Sequence, residues 1–122
     1  MSNLIVFLTK DLFFVPVLQS AAARQGVELT ALFGLNSPKA AELDGGSVTA
    51  CVIDLAGTDV PEIAGVVSEL RSRYPAAQVA AFGPHVQTGR LDAAQAAGCD
   101  QVLTRGQLNN QLDRLIAAWS GQ

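Results

Sequence analysis

Asp54 is the residue of this sequence best placed to do chemistry. The segment "TACVID", residues 49–54, is an apolar run that ends at this carboxylate, and the small and polar residues of a loop follow it. An unpaired buried carboxylate is costly, so we expect Asp54 to lie at the rim of the core, where its charge can be solvated or paired. We consider two interpretations at this point: a turn or capping contact, and an ion pair with Lys10 or Arg105.

Further candidate residues stand at the ends of the other apolar runs that could lie beside Asp54. They are Thr9, Lys10 and Asp11 after residues 4–8, Gly83 and His85 at the end of residues 77–83, and Thr104 and Arg105 at the end of residues 101–104. His85 is the only histidine, and its titration range would suit a general base. Because no serine or cysteine nucleophile motif accompanies it, we favour a surface or partner-contacting role.

Five short apolar runs alternate with amphipathic segments along the chain. The predicted strands are residues 4–8, 27–34, 48–54, 77–83 and 101–104, and the predicted helices are residues 11–26, 36–43, 59–75, 87–98 and 106–120. Continuous apolar strands, each followed by a helix, are typical of a parallel sheet covered on both faces. Right-handed crossovers then favour a doubly wound, flavodoxin-like α/β fold with strand order 2-1-3-4-5. In such a sheet the carboxyl ends of the strands form one crevice, where the polar residues named above would meet.

Capping residues predict where three of the helices begin. Asp11 can cap the first helix and Ser37 the second, and Asp59 and Glu62 have the spacing of a capping box before the third. Pro16 requires the first helix to begin only two or three residues before it, because a proline deeper in the helix would cost a backbone hydrogen bond.

Length and composition indicate one soluble globular domain, residues 1–122. The chain has 49% hydrophobic and 16% charged residues, and its apolar runs are far shorter than the roughly 20 residues of a membrane span. The N-terminus has no secretory signal pattern, so we expect a cytoplasmic protein. A net charge of −3 with dispersed basic residues predicts no nucleic-acid partner. Cys51 and Cys99 match no metal-ligand spacing and are expected to be buried, reduced thiols.

Two segments of the chain resemble the receiver domain of bacterial response regulators. "CVIDL", residues 51–55, is similar to the phosphoacceptor strand of that family, and "AAQAAGCDQVLTR", residues 93–105, is similar to its alanine-rich helix and fifth strand. The resemblance covers nearly the whole chain. It implies that Asp54 stands at the phosphoacceptor position, and it adds regulated phosphorylation to the interpretations of this residue.

The departures from the receiver pattern predict lost chemistry. Leu8 and Thr9 stand where the family has paired acidic residues that hold magnesium, Gly83 stands in place of a hydroxyl residue, and Arg105 replaces a lysine. Mg²⁺ requires several well-placed oxygen ligands, so one carboxylate, even with Asp11 nearby, makes a poor site. The resemblance therefore implies a degenerate receiver with no bound metal or other cofactor and no enzymatic activity. Its aspartate would be a poor phosphoacceptor.

We therefore expect a stand-alone signalling module that acts through protein contacts. Receivers usually present the fourth helix, fifth strand and fifth helix to a protein partner or a second copy, and here that surface would carry Arg90, Asp92, Gln95, Gln101, Asn109, Gln111 and Arg114. The alternative is a small-ligand binding protein or enzyme that holds an anionic metabolite with Lys10, Asp54, His85 and Arg105. A third interpretation is an ordinary receiver that tolerates unusual residues.

Overall fold

The computed structural model describes residues 3–121. Its strands are β1 (Leu4–Leu8), β2 (Glu28–Leu32), β3 (Val48–Asp54), β4 (Gln78–Gly83) and β5 (Gln101–Thr104). Its α-helices are α1 (Val15–Arg24), α2 (Pro38–Ala41), α3 (Val60–Arg73), α4 (Thr88–Ala96), α5 (Arg105–Asn110) and α6 (Leu112–Trp119). Single 3₁₀ turns, Gly45–Ser47 and Leu55–Gly57, precede and follow β3. None of the helices in the described part of the chain is long and apolar enough to cross a membrane.

The strands form one parallel sheet in the order β2-β1-β3-β4-β5. The predicted α/β fold and strand order are confirmed. Because helices cover both faces of the sheet, the inner strands need apolar side chains on both sides, which is why they read as continuous runs. Every residue of β1 is buried, and so is every residue of β3 except Thr49.

Each face of the sheet has its own apolar core. On one face Ile63, Val67 and Leu70 of α3 pack over β1, β3 and β4, and α4 adds Ala94. On the other face α1, α5 and α6 pack over the same strands, with Leu18, Phe14, Leu108, Ile116 and Trp119 among the buried residues. The helices therefore leave only the two ends of the strands and the outer edges of the sheet open.

Trp119 anchors the last helix to the sheet. Its side chain has no exposed surface, and its indole Nε1–H donates a hydrogen bond to Gln101 Oε1 at 2.8 Å. Its backbone carbonyl accepts a hydrogen bond from Thr49 Oγ1 at 2.7 Å. These contacts tie α6 to both β5 and β3.

The first helix begins later than its capping signal predicted. α1 starts at Val15 and has Pro16 in its first turn, where the missing N–H is tolerated. The Asp11 carboxylate accepts a hydrogen bond from the Phe13 N–H at 2.9 Å, which closes a turn in the β1–α1 connection. The prediction that Asp11 caps α1 is therefore wrong, because the side chain is used before the helix starts.

The other helix starts agree with the sequence in part. Ser37 caps α2, as predicted, by accepting a hydrogen bond from the Ala40 N–H at 3.2 Å. Asp59 is the residue before α3, but its side chain makes no capping hydrogen bond, so the predicted capping box is wrong. Its carboxylate lies 3.8 Å from the Arg90 guanidinium instead. The single predicted C-terminal helix is divided at Gln111, whose backbone angles (φ −121°, ψ 20°) are not helical.

Both cysteines are buried free thiols. Burial raises the pKa of the Cys51 thiol to about 12, and it also raises the pKa of Cys99. Such thiols are protonated at neutral pH and therefore unreactive, as expected for residues that only fill space in the core.

Candidate functional site

Asp54 is buried at the end of β3, and hydrogen-bond donors reach both oxygens of its carboxylate. The residue is 2% exposed. Oδ1 accepts a hydrogen bond from the Ala56 N–H at 3.1 Å, and Oδ2 accepts one from Thr9 Oγ1 at 2.9 Å. The first contact caps the 3₁₀ turn Leu55–Gly57, so the turn or capping interpretation is correct. Asp54 therefore lies inside the core and not at its rim as expected, and these hydrogen bonds compensate its carboxylate there.

Thr9 is held rigidly against Asp54. It is 4% exposed, and its backbone N–H donates to the Leu32 carbonyl at 3.0 Å. Its hydroxyl oxygen accepts a hydrogen bond from the Asp11 N–H at 3.0 Å. The single hydroxyl proton has two acceptors within reach, Asp54 Oδ2 and the Asp11 carbonyl, the latter also at 3.0 Å. Contacts to β2 and to the β1–α1 connection thus fix the donor that faces the carboxylate.

The surroundings of Asp54 do not fit a magnesium ion. Leu8 is 8% exposed and belongs to the apolar cluster beneath the site, and Thr9 offers only a hydroxyl that is already bonded. Asp11 is exposed, and its carboxylate is bonded to a backbone N–H. Within residues 3–121, no three Asp, Glu, His or Cys side chains cluster as metal ligands would. One carboxylate with both oxygens engaged is a poor donor set for a cation that prefers six oxygens.

Neither candidate cation pairs with Asp54. Among residues 3–121, no Lys or Arg nitrogen lies within 4.0 Å of its carboxylate. The guanidinium carbon of Arg105 lies 5.3 Å from the centroid of the Phe14 ring, a cation–π contact. Lys10 is exposed, and its aliphatic stem packs so closely on Gly57 that a Cβ there would come within 3.2 Å of it. The predicted ion pair is therefore wrong: the guanidinium of Arg105 lies over an aromatic ring, and Lys10 is exposed.

The end of β4 faces apolar side chains. A Cβ at Gly83 would lie 3.4 Å from Leu55 Cβ and 3.8 Å from Leu91 Cδ2. Any side chain at this position would therefore begin among leucines. The place where receivers carry a hydroxyl residue is thus lined by apolar groups in this protein.

His85 and Thr104 are two further candidate residues of the crevice. His85 is exposed in the β4–α4 connection. Thr104 caps α5: its Oγ1 accepts a hydrogen bond from the Gln107 N–H at 3.1 Å, and its N–H donates to Gln107 Oε1 at 2.9 Å. This capping box was missed in the sequence, although the Thr-x-x-Gln spacing is its usual signal.

A groove of about 540 Å³ runs beside Asp54 at the carboxyl edge of the sheet. Of the predicted crevice residues, Thr9, Lys10 and Asp54 line this groove, whereas Asp11, Gly83, His85, Thr104 and Arg105 do not. Sequence reasoning missed its other walls, which come from the β2–α2 connection (Phe33, Leu35, Asn36) and from α3 (Glu62, Val66, Glu69). Three carboxylates and one ammonium line the groove, and Glu69 is paired with Arg73 at 3.0 Å. The remaining charges, two carboxylates and one ammonium, do not favour an anionic ligand.

Solved structures with the same fold cover nearly the whole chain. A CheY-like protein (tadZ) from Pseudomonas aeruginosa is 25% identical, with a TM-score of 0.76 over 100% of this chain and 96% of that one. A proposed pilus assembly-related protein from Burkholderia pseudomallei is 21% identical, with a TM-score of 0.70 over 99% of this chain and 90% of that one. A proposed pilus assembly protein (cpaE) from Burkholderia thailandensis is 19% identical, with a TM-score of 0.71 over 100% of both chains.

Response regulators and receiver domains are among the other solved structures that match, at 10–12% identity and TM-scores of 0.68–0.74. No family model and no curated protein matches the chain. The chain therefore has the CheY-like receiver fold.

Proposed function

We propose that this chain is a receiver-like signalling module that acts through protein contacts, and that its Asp54 is not phosphorylated by the Mg²⁺-dependent route. The observation that carries the proposal is the buried hydrogen bond from Thr9 Oγ1 to Asp54 Oδ2, at 2.9 Å. It puts a hydroxyl donor where a receiver would hold an acidic metal ligand. The carboxylate then serves to join β1 to β3, and we assign it no catalytic step.

Phosphoryl transfer to Asp54 would lack the positive charge that the reaction needs. Mg²⁺ supplies much of the charge neutralisation in such transfers, and the residues around Asp54 offer it one carboxylate. Arg105 lies over Phe14 and does not replace the cation. Since each 1.4 kcal/mol of lost transition-state stabilisation costs about tenfold in rate, losing this charge would make the reaction slower by orders of magnitude.

The contact surface that we propose for a protein partner is formed by α4, β5 and α5. Its exposed side chains are polar and include Asp92, Gln95 and Asn109, and the exposed Gln111 and Arg114 extend it to the start of α6. Arg90 and Gln101 are less available, because Arg90 donates to the Thr58 carbonyl at 3.0 Å and Gln101 accepts from the Trp119 indole. A polar surface of this kind suits a modest or transient interface.

Pilus assembly proteins are the first class of partner to test. Two of the structures that resemble this chain are proposed pilus assembly proteins, and their 19–21% identity exceeds the 10–12% of the response regulators and receiver domains. We infer that this chain serves a pilus assembly machine as a receiver-like module that needs no phosphate.

Acetyl phosphate with Mg²⁺ should leave Asp54 unmodified, as measured by intact-mass spectrometry. A receiver with a complete acidic pair, treated in parallel, is the positive control. Binding to pilus assembly proteins of the same organism should be equal for the wild type and Asp54→Asn, because the contact does not depend on a phosphoryl group. Labelling of Asp54, or partner binding that requires acetyl phosphate, would contradict the proposal.

A further inference from the structure

β2 is an open edge of the sheet. It pairs with β1 and with no other strand in the described part of the chain. The N–H of Glu28 and the carbonyl of Leu32 bond to the β1 side. Because alternate residues of a strand direct their backbone groups to opposite sides, those of Leu29 and Ala31 point away from the sheet. This outer row of donors and acceptors is free to pair with another strand.

The open edge has few of the features that normally protect such strands. Proteins block edge strands with charges, prolines or very short strands. β2 contains no proline, and its single charged residue, Glu28, stands at its start. The opposite edge strand, β5, has only four residues and leads directly into α5 at Arg105. β2 is therefore the edge that is competent to pair.

Exposed apolar side chains border the open edge. Leu12 is 63% exposed and Phe33 is 61% exposed. They line a groove of about 390 Å³ to which Val15 of α1 and Ala31 of β2 also contribute. A second strand laid along β2 would cover this groove and remove apolar surface from water.

The charges beside β2 are complementary to those of a second, inverted β2. Glu28 begins the strand, and Lys39 of α2 lines the groove at its other end. Both are exposed, and neither takes part in an ion pair within residues 3–121. In an antiparallel pair centred on Ala31, each Glu28 lies opposite Gly34 of the other copy, on the sheet face that carries α2. Each end of the pair then brings Glu28 of one copy towards Lys39 of the other.

We propose that two copies of this chain associate by antiparallel pairing of their β2 strands, centred on Ala31. Leu29 of each copy then lies opposite Phe33 of the other, the residue that follows the strand, and Leu29 and Ala31 of both copies supply the outward backbone groups. The contact is isologous and joins the two sheets into one. This inference goes beyond the proposed function, since it uses neither Asp54 nor the surface of α4, β5 and α5.

A charge-swap series tests the pairing. Sedimentation velocity over a micromolar concentration series should show a weak monomer–dimer equilibrium, since one strand pair is smaller than the roughly 1,200 Å² of standard interfaces. Glu28→Lys and Lys39→Glu should each weaken association about tenfold, because like charges then face each other at both ends. The double variant Glu28→Lys/Lys39→Glu should recover the wild-type affinity.

Asp59→Lys, before α3, is the matched control for the change of charge and should leave association unchanged. Asp92→Lys makes the same change on α4, in the surface proposed for a protein partner, and tests that surface as the alternative contact. A monomer at all concentrations would contradict the pairing, and so would a dimer whose affinity is unchanged in Glu28→Lys. A dimer weakened only by Asp92→Lys would also contradict it, because the contact would then lie on the surface of α4, β5 and α5. Amide exchange gives a second readout: Leu29 and Ala31 should exchange more slowly as concentration rises, and Thr30 should not. Phosphorylation of Asp54 would contradict the proposed function but would not affect the dimer measurement.

Discussion

Thr9→Asp should lower the free energy of unfolding of the metal-free protein by on the order of 3–5 kcal/mol. The substitution sets a second carboxylate against Asp54 Oδ2, at a position that is 4% exposed. No Lys or Arg nitrogen of the described chain lies within 4.0 Å of Asp54 to offset the added charge. Urea unfolding at neutral pH measures the loss. Millimolar Mg²⁺ should restore part of it in the variant and leave the wild type unchanged.

Thr9→Val is the control for this prediction. Valine keeps the shape of threonine but removes the hydroxyl, which leaves Asp54 Oδ2 and the Asp11 N–H without a partner. We expect a loss of about 1–3 kcal/mol, less than that of Thr9→Asp. If the aspartate variant were as stable as the valine variant, the hydroxyl of Thr9 would not face the carboxylate of Asp54 as described.

Trp119→Ala should cost about 3–5 kcal/mol of unfolding free energy. The side chain is fully buried between α6 and the sheet, so its removal leaves a large cavity. The indole hydrogen bond to Gln101 Oε1 is lost as well. Urea unfolding followed by circular dichroism measures the change, since the substitution removes the only tryptophan fluorophore.

Trp119→Phe separates packing from hydrogen bonding at this position. Phenylalanine fills much of the cavity but cannot donate to Gln101, so we expect a loss of about 1–2 kcal/mol. A loss below about 1 kcal/mol in Trp119→Ala would show that α6 is not anchored through this side chain.

The order of the strands follows from features that a sequence displays directly. β1 and residues 50–53 of β3 are apolar without a break because both of their faces are covered, and this pattern is typical of a doubly wound parallel sheet. Local capping signals were less informative, because one side chain often has several possible backbone partners. Asp11 bonds to the Phe13 N–H two residues on, and Asp59 lies near Arg90, a residue from another helix.

The candidate site was predictable in its residue types but not in its contacts. The sequence alone shows that Asp54 ends a buried strand, and that Leu8 and Thr9 stand where acidic residues are expected. The bond between Thr9 and Asp54 joins residues 45 positions apart, and its geometry depends on the register of β1 against β3. The stacking of Arg105 on Phe14 is equally nonlocal, and charge alone favoured the wrong partner for this arginine.

The groove beside Asp54 was missed for a similar reason. The predicted strands and helices are joined by connections of only a few residues, which build little wall around a crevice. In the structure α3 itself forms one wall, through Glu62, Val66 and Glu69, and Phe33 stands on the opposite side. Which face of a helix borders a crevice depends on how the helix crosses the sheet, and sequence periodicity does not specify that crossing.

Titration of the wild-type protein with Mg²⁺, followed by NMR at the backbone amides of Thr9, Asp54 and Ala56, tests most directly whether the receiver chemistry has been lost. We expect no saturable shift of these resonances up to millimolar Mg²⁺, and no further change when beryllofluoride is added. A saturable shift at these three amides that beryllofluoride then enlarges would contradict the central claim, because it would mean that a magnesium site forms beside Asp54 despite Leu8 and Thr9.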